Sequence, residues 1–127
     1  REHPDVEMVY ADYVAIDVKA RAADYPIFTP LVPDAAERVA RSLMWLRSSG
    51  KPFEVRVTAV PGYVDPDTAS LVADFLEPGD EVVLQRFRPL RTLDSAWRSV
   101  EPHGEAALAE ILAALGKRAP KARLRGA

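Results

Sequence analysis

The chain contains no cysteine and only two histidines, His3 and His103, far apart in sequence. The first absence excludes disulfides, a thiol nucleophile, thiolate zinc sites and any iron–sulfur cluster held by this chain's own residues. The second argues against a histidine metal site. No apolar run approaches the roughly 18 residues of a membrane span. The opening segment "REHPDVEMVYAD" lacks the apolar stretch of a signal peptide, so no membrane partner and a cytoplasmic location are expected. It also lacks a starting methionine, and a fragment or a processed product is the expectation. A glycine-rich phosphate loop is missing: "VPGYVDPD" offers one glycine, and its aspartates would repel phosphate. Excess positive charge is missing as well. At a net charge of −2, no broad footprint for nucleic acid is expected.

What is present is globular. Hydrophobic residues make up 48% and charged residues 28% of 127 residues, enough for one domain with a real core. Residues 1–11 and 119–127 read as peripheral. "DYVAIDVKA" (12–20) is β-rich and reads as a strand. In "PDAAERVARSLMWLRSSG" (33–50), Val39, Leu43 and Leu46 make one helical stripe, with Asp34 as the cap and Gly50 as the C-terminal glycine. A strand follows over 53–60. Asp65 and Pro66 mark the next helix start, with Leu71, Val72, Phe75 and Leu76 as its buried face and "EPGD" (77–80) as its end. "EVVLQRFR" (81–88) is a third strand. The long connection 89–102 carries a short helical turn near Ser95 to Trp97. "GEAALAEILAALGK" (104–117) is a helix with Leu108, Ile111, Leu112 and Leu115 inward and Gly116 as its stop. "KARLRG" (121–126) reads as a last short strand.

Alternation of strands and helices argues for an α/β fold with a mostly parallel, four-stranded sheet and right-handed crossovers. A parallel sheet wrapped on both faces has strands that are apolar on both faces. The strand 53–60 does not comply. Val55, Val57 and Ala59 are core material, but Glu54, Arg56 and Thr58 share the other side. Asp17 and Lys19 also share a side. Helices on one face only, with polar residues lining a groove on the other, accommodate both observations.

"DYVAIDVKA", "EVRVTAVPG", "VVLQRFRP" and a final "RLRG", with helices between them, resemble the C-terminal half of radical S-adenosylmethionine proteins. The closest subgroup is the glycyl-radical enzyme activases, which activate pyruvate formate-lyase and anaerobic ribonucleotide reductase. The likeness runs from about residue 12 to residue 126. It implies a fold equivalent to half of a partial (β/α) barrel. It also implies that Asp17 and Lys19 match the family's Asp-x-Lys strand against S-adenosylmethionine, and that Arg56 matches an arginine pointing into the cofactor cleft. Pro61 and Gly62 match the turn ending that strand. Gln85 and Arg88 lie on the strand that bears a histidine near the cofactor in the pyruvate formate-lyase activase; here Arg88 stands in that place. Arginine, lysine and aspartate on neighbouring strands suit a zwitterionic ligand. The family's CxxxCxxC loop and its glycine-rich strand are absent. Hence no [4Fe–4S] cluster is held by this chain, and no independent catalysis is expected.

The function implied is a module that contributes cofactor-cleft residues when joined to a cluster-bearing half. That half is either a missing N-terminal segment or a separate subunit, and a glycyl-radical enzyme is the implied substrate. The alternative is a non-catalytic interaction module derived from the same scaffold. Open sheet edges also fit a homodimer. Among other residues, Glu54 reads as a solvated or paired strand-end residue, and Thr58 as a β-favouring filler. Trp45 and Trp97 read as core packing or interface anchors. His103 reads as solvated, and the basic run "GKRAPKARLRGA" as an exposed tail.

Overall fold

The computed structural model describes residues 13–88 and 100–126. Four strands, β1 (Val14–Asp17), β2 (Phe53–Ala59), β3 (Val82–Arg86) and β4 (Arg123–Arg125), form one sheet. The spatial order is β1-β2-β3-β4 and every pairing is parallel. Four helices accompany them: α1 (Tyr25–Phe28), α2 (Ala35–Ser49), α3 (Ala69–Val72) and α4 (Glu105–Arg118), with 3₁₀ turns at Ala22–Asp24 and Ala73–Phe75. The turn expected near Ser95 to Trp97, and Trp97 itself, lie outside the described residues.

Strand order explains why, among the described residues, the helices pack on one face of the sheet. Each new strand is added on the same side, and right-handed crossovers, the general rule for parallel strands, then put the described connecting helices on one face. This winding is the one found in (β/α) barrels. On the covered face Val55, Val57, Ala59, Val82 and Leu84 join Leu43, Val72, Leu76, Leu108, Ile111 and Leu115 in one core. Most of these side chains are fully buried, and each valine, leucine or isoleucine contributes about 1.5–3 kcal/mol. No described helix is long and apolar enough to cross a membrane.

Helix ends follow the sequence in part. Gly50 closes α2 in the left-handed region at φ 77°, as a glycine there permits. Asp34 stands at the start of α2 but caps nothing with its side chain. Its carboxylate is held instead by Arg38 at 3.0 Å and Arg41 at 3.6 Å. Gly116 does not stop α4, which continues to Arg118. The stop is Pro120, which disfavours helical geometry at the residue before it; Ala119 is accordingly extended. Asp65 does not open α3. Its carboxylate turns back to accept from the Gly62 amide at 2.8 Å, and the helix begins four residues later. Ala69, Val72, Ala73 and Leu76 then form the buried face, whereas Leu71 is 41% exposed. These four residues keep the i, i+3, i+4, i+7 spacing of one helical stripe, and Leu71, two residues after Ala69, falls outside it.

Candidate functional site

The face away from the described helices carries most of the sheet's polar residues in register. Ala15 lies beside Glu54 and Asp17 beside Arg56 on β1 and β2. Arg56 lies beside Val83, and Thr58 beside Gln85. Val83 and Gln85 in turn neighbour Arg123 and Arg125 on β4. Lateral neighbours in a parallel sheet point the same way, so Asp17, Glu54, Arg56, Thr58, Gln85 and Arg125 share this face. Two regions divide it.

The first region is an ion-pair network centred on Glu54. Its carboxylate accepts from Tyr13 Oη at 2.7 Å, Arg56 Nε at 2.8 Å, and Arg125 Nη1 and Nη2 at 3.2 and 3.3 Å. The Arg125 side chain must cross β3 to reach β2, and Val83, on the same face of β3, is fully buried. Glu54 itself is buried, at 3% exposure. It is therefore paired, as one of its two expected roles had it, and not solvated. The Arg56 hydrogen bond, against the upward push of burial, brings its pKa down to about 2, with Tyr13 and Arg125 adding to the effect. Donating to the Glu54 carboxylate raises the Tyr13 phenol above its ordinary value. The sequence signal was the i, i+2 spacing of Glu54 and Arg56 on one strand face. Nothing in the sequence paired either residue with Arg125.

A pH dependence follows from Glu54. Its folded pKa lies below its unfolded value of 4.5, so the unfolded chain binds more protons between pH 4.5 and about 2. Stability from this group is full above that window and is lost as pH falls through it. Both arginines are solvated, at 39% and 43% exposure. Screening then leaves about 1–2 kcal/mol of the ~3 kcal/mol that the shift alone would give. Urea titrations above and within the window should show wild type losing about 1–2 kcal/mol more than Glu54→Gln. Equal losses in the two proteins would refute the assignment.

The second region is a groove of about 220 Å³ at the C-terminal ends of β1 and β2. Asp17, Lys19, Arg56 and Thr58 supply its polar wall, and Phe28, Val60 and Phe87 its apolar one. In parallel α/β sheets, ligands bind beyond the carboxyl ends of the strands. Asp17 is the last residue of β1, so its carboxylate sits at this end. Lys19 is fixed through its backbone, whose N–H donates to Tyr25 Oη at 3.0 Å. Burial raises the Tyr25 phenol above its ordinary value, so this anchor stays protonated through neutral pH. No side-chain hydrogen bond or ion pair engages Asp17, Lys19 or Gln85 among the described residues. Arg56 is different: its Nε is committed to Glu54. The guanidinium is thereby held in place while the side chain also lines the groove.

Three of the five residues singled out from sequence, Asp17, Lys19 and Arg56, therefore line one groove. Gln85 shares their face but lies one strand further on, outside that groove. Arg88 is not with them. It is exposed beyond the end of β3 and lines a separate hollow of about 130 Å³ with Arg86, Phe87 and His103. His103 is not solvated. Its Nε2 is 2.9 Å from the Val64 carbonyl and 3.1 Å from Asp65 Oδ1, tying the approach to α4 to the turn after β2. Trp45 is half-buried on α2.

Comparisons with protein-family models, with curated proteins and with solved structures give no match to this chain. The groove's chemistry must therefore be argued from its own residues. Two cations and one carboxylate around a partly apolar cleft suit a zwitterion: a carboxylate on Lys19 and Arg56, an ammonium or hydroxyl on Asp17. Its volume falls below the 300–1,000 Å³ usual for a whole small ligand, so it accommodates only part of one. An iron–sulfur cluster does not fit, because the chain has no thiolate. No group of three or more metal-ligating side chains occurs among the described residues.

Proposed function

We propose that this chain is the C-terminal module of a radical S-adenosylmethionine activating enzyme, supplying one wall of the cofactor cleft and no catalysis of its own. The observation that carries the proposal is the placement of Asp17, Lys19 and Arg56 around one groove at the carboxyl ends of adjacent parallel strands. The partial size of the groove supports a cleft completed by another body. That body is a cluster-bearing half, joined at the N-terminal side or supplied as a separate subunit, and it brings the reductive chemistry. A glycyl-radical enzyme is the substrate of the assembled protein, and the cytoplasm is its compartment. A homodimer through the open strand edges is the rival assembly.

Calorimetric titration with S-adenosylmethionine tests the proposal. Saturable binding tighter than about 1 mM is expected, weakened about tenfold by Asp17→Ala and by Lys19→Ala. Both side chains lie outside the Glu54 network, so these variants report on the ligand and not on the sheet. Arg56→Ala would conflate the two. Absent binding, or binding indifferent to both substitutions, would favour a non-catalytic interaction module built on the same scaffold.

A further inference from the structure

On the opposite side of the molecule, the helical layer has a gap. Its cause is the shortness of α3, which has four residues against fifteen in α2 and fourteen in α4. The 3₁₀ turn that follows adds only three more. Between α2, the α3 turn and α4 lies a groove of about 470 Å³, within the range of small-molecule sites. Ala40 gives it depth, and Met44, Leu71 and Phe75 give it apolar walls. Met44 and Leu71 stay 64% and 41% exposed, an unusual placement for large apolar side chains around one concavity.

Two arginines stand at the rim. Arg118 donates from Nε to the Leu76 carbonyl at 3.1 Å, with Nη1 3.9 Å from Asp74. Arg21 donates from Nε to Asp24 at 3.2 Å. In both, Nε is tethered; beyond the long Arg118–Asp74 ion pair no hydrogen bond engages the outer nitrogens among the described residues, and Asp74 and Glu77 are the lining's carboxylates. A third arginine, Arg47, is consumed by Asp80 and Glu77 and offers nothing to a ligand. Tethered guanidinium forks next to an apolar trough recognise a carboxylate with an apolar tail.

We propose that this groove is a second ligand site, distinct from the polar sheet face, for a small amphipathic carboxylate such as a medium-chain acyl acid. The tail lies along Ala40, Met44, Leu71 and Phe75, and the carboxylate meets Arg118 and Arg21. The site is independent of the proposed cofactor role, since the two grooves share no residue.

Sodium decanoate, kept below its micelle concentration, is the probe, with amide chemical shifts as the readout. Single-site saturation is expected, with shifts confined to residues around Arg21–Ala23, Ala40–Met44, Leu71–Phe75 and Arg118. Ala40→Leu fills the trough with a good helix former at a half-exposed position, so folding is kept and decanoate binding is lost. Arg118→Gln weakens decanoate about fivefold, the size of a partly solvated charge contact, and leaves 1-decanol unchanged. Non-saturating or dispersed shifts, or decanoate affinity unaffected by Ala40→Leu, would overturn the site. Equal affinity for decanoate and decanol would overturn its assignment to anions.

Discussion

Arg47→Leu is expected to destabilise the protein by about 3 kcal/mol, because it strands a buried carboxylate. Arg47 holds Asp80 with two bonds, Nε to Oδ1 at 3.0 Å and Nη2 to Oδ2 at 2.7 Å, and donates from Nη2 to the Phe75 carbonyl at 2.8 Å. Asp80 is 3% exposed and also accepts from the Glu77 amide at 2.9 Å, closing the "EPGD" turn. One guanidinium thus ties α2 to the end of the α3 segment and to the turn that leads into β3. Leucine would leave the Asp80 charge buried with a single amide for company. Arg47→Lys keeps the charge but not the planar fork, so a loss of roughly half that size is expected. Chemical denaturation measures both. A loss below about 1 kcal/mol for Arg47→Leu would mean that the pair behaves as an ordinary surface salt bridge.

Leu84→Ala should cost about 3–4 kcal/mol, the range for a large buried side chain that leaves a cavity. Leu84 lies on β3, an inner strand, beside Val57 and Leu124, and is fully buried under the helices. Neighbours fixed on both sides by strand pairing cannot collapse into the space. Leu84→Met, which conserves volume, should cost less than about 1.5 kcal/mol. If the two variants were equally mild, the covered face would not be close-packed, and the one-sided layering would fail with it.

The parallel sheet and its one-sided helical cover were legible because two patterns disagreed usefully. β2 alternates Val55, Val57 and Ala59 with Glu54, Arg56 and Thr58, which only a sheet uncovered on one face accommodates at low cost. Helix ends were less legible. Pro120, not Gly116, stopped α4, since the constraint before a proline outweighs the modest penalty of a glycine inside a helix. The buried face of α3 differs from the expected one at Leu71 because half of the true stripe, Ala69 and Ala73, is alanine, which carries little apolar weight in the sequence beside Leu71 and Phe75. At the groove, the polar character of Asp17, Lys19 and Arg56 on strand segments is visible in the sequence, and their common lining comes from the parallel register. Glu54 was underrated because its third arginine, Arg125, arrives from β4 across an intervening strand. Its location is set by strand order, which sequence spacing does not encode. His103 was missed for a similar reason: its partners Val64 and Asp65 lie about forty residues earlier.

The central claim is that the uncovered sheet face, at the carboxyl ends of β1 and β2, is where this chain meets its ligand. Amide chemical-shift mapping during titration with S-adenosylmethionine addresses it most directly. The account predicts saturating shifts at Asp17–Lys19 and Arg56–Val60, with the outer groove around Met44 and Leu71 unmoved. Shifts confined to the helical side, or none at any concentration up to the millimolar range, would contradict it.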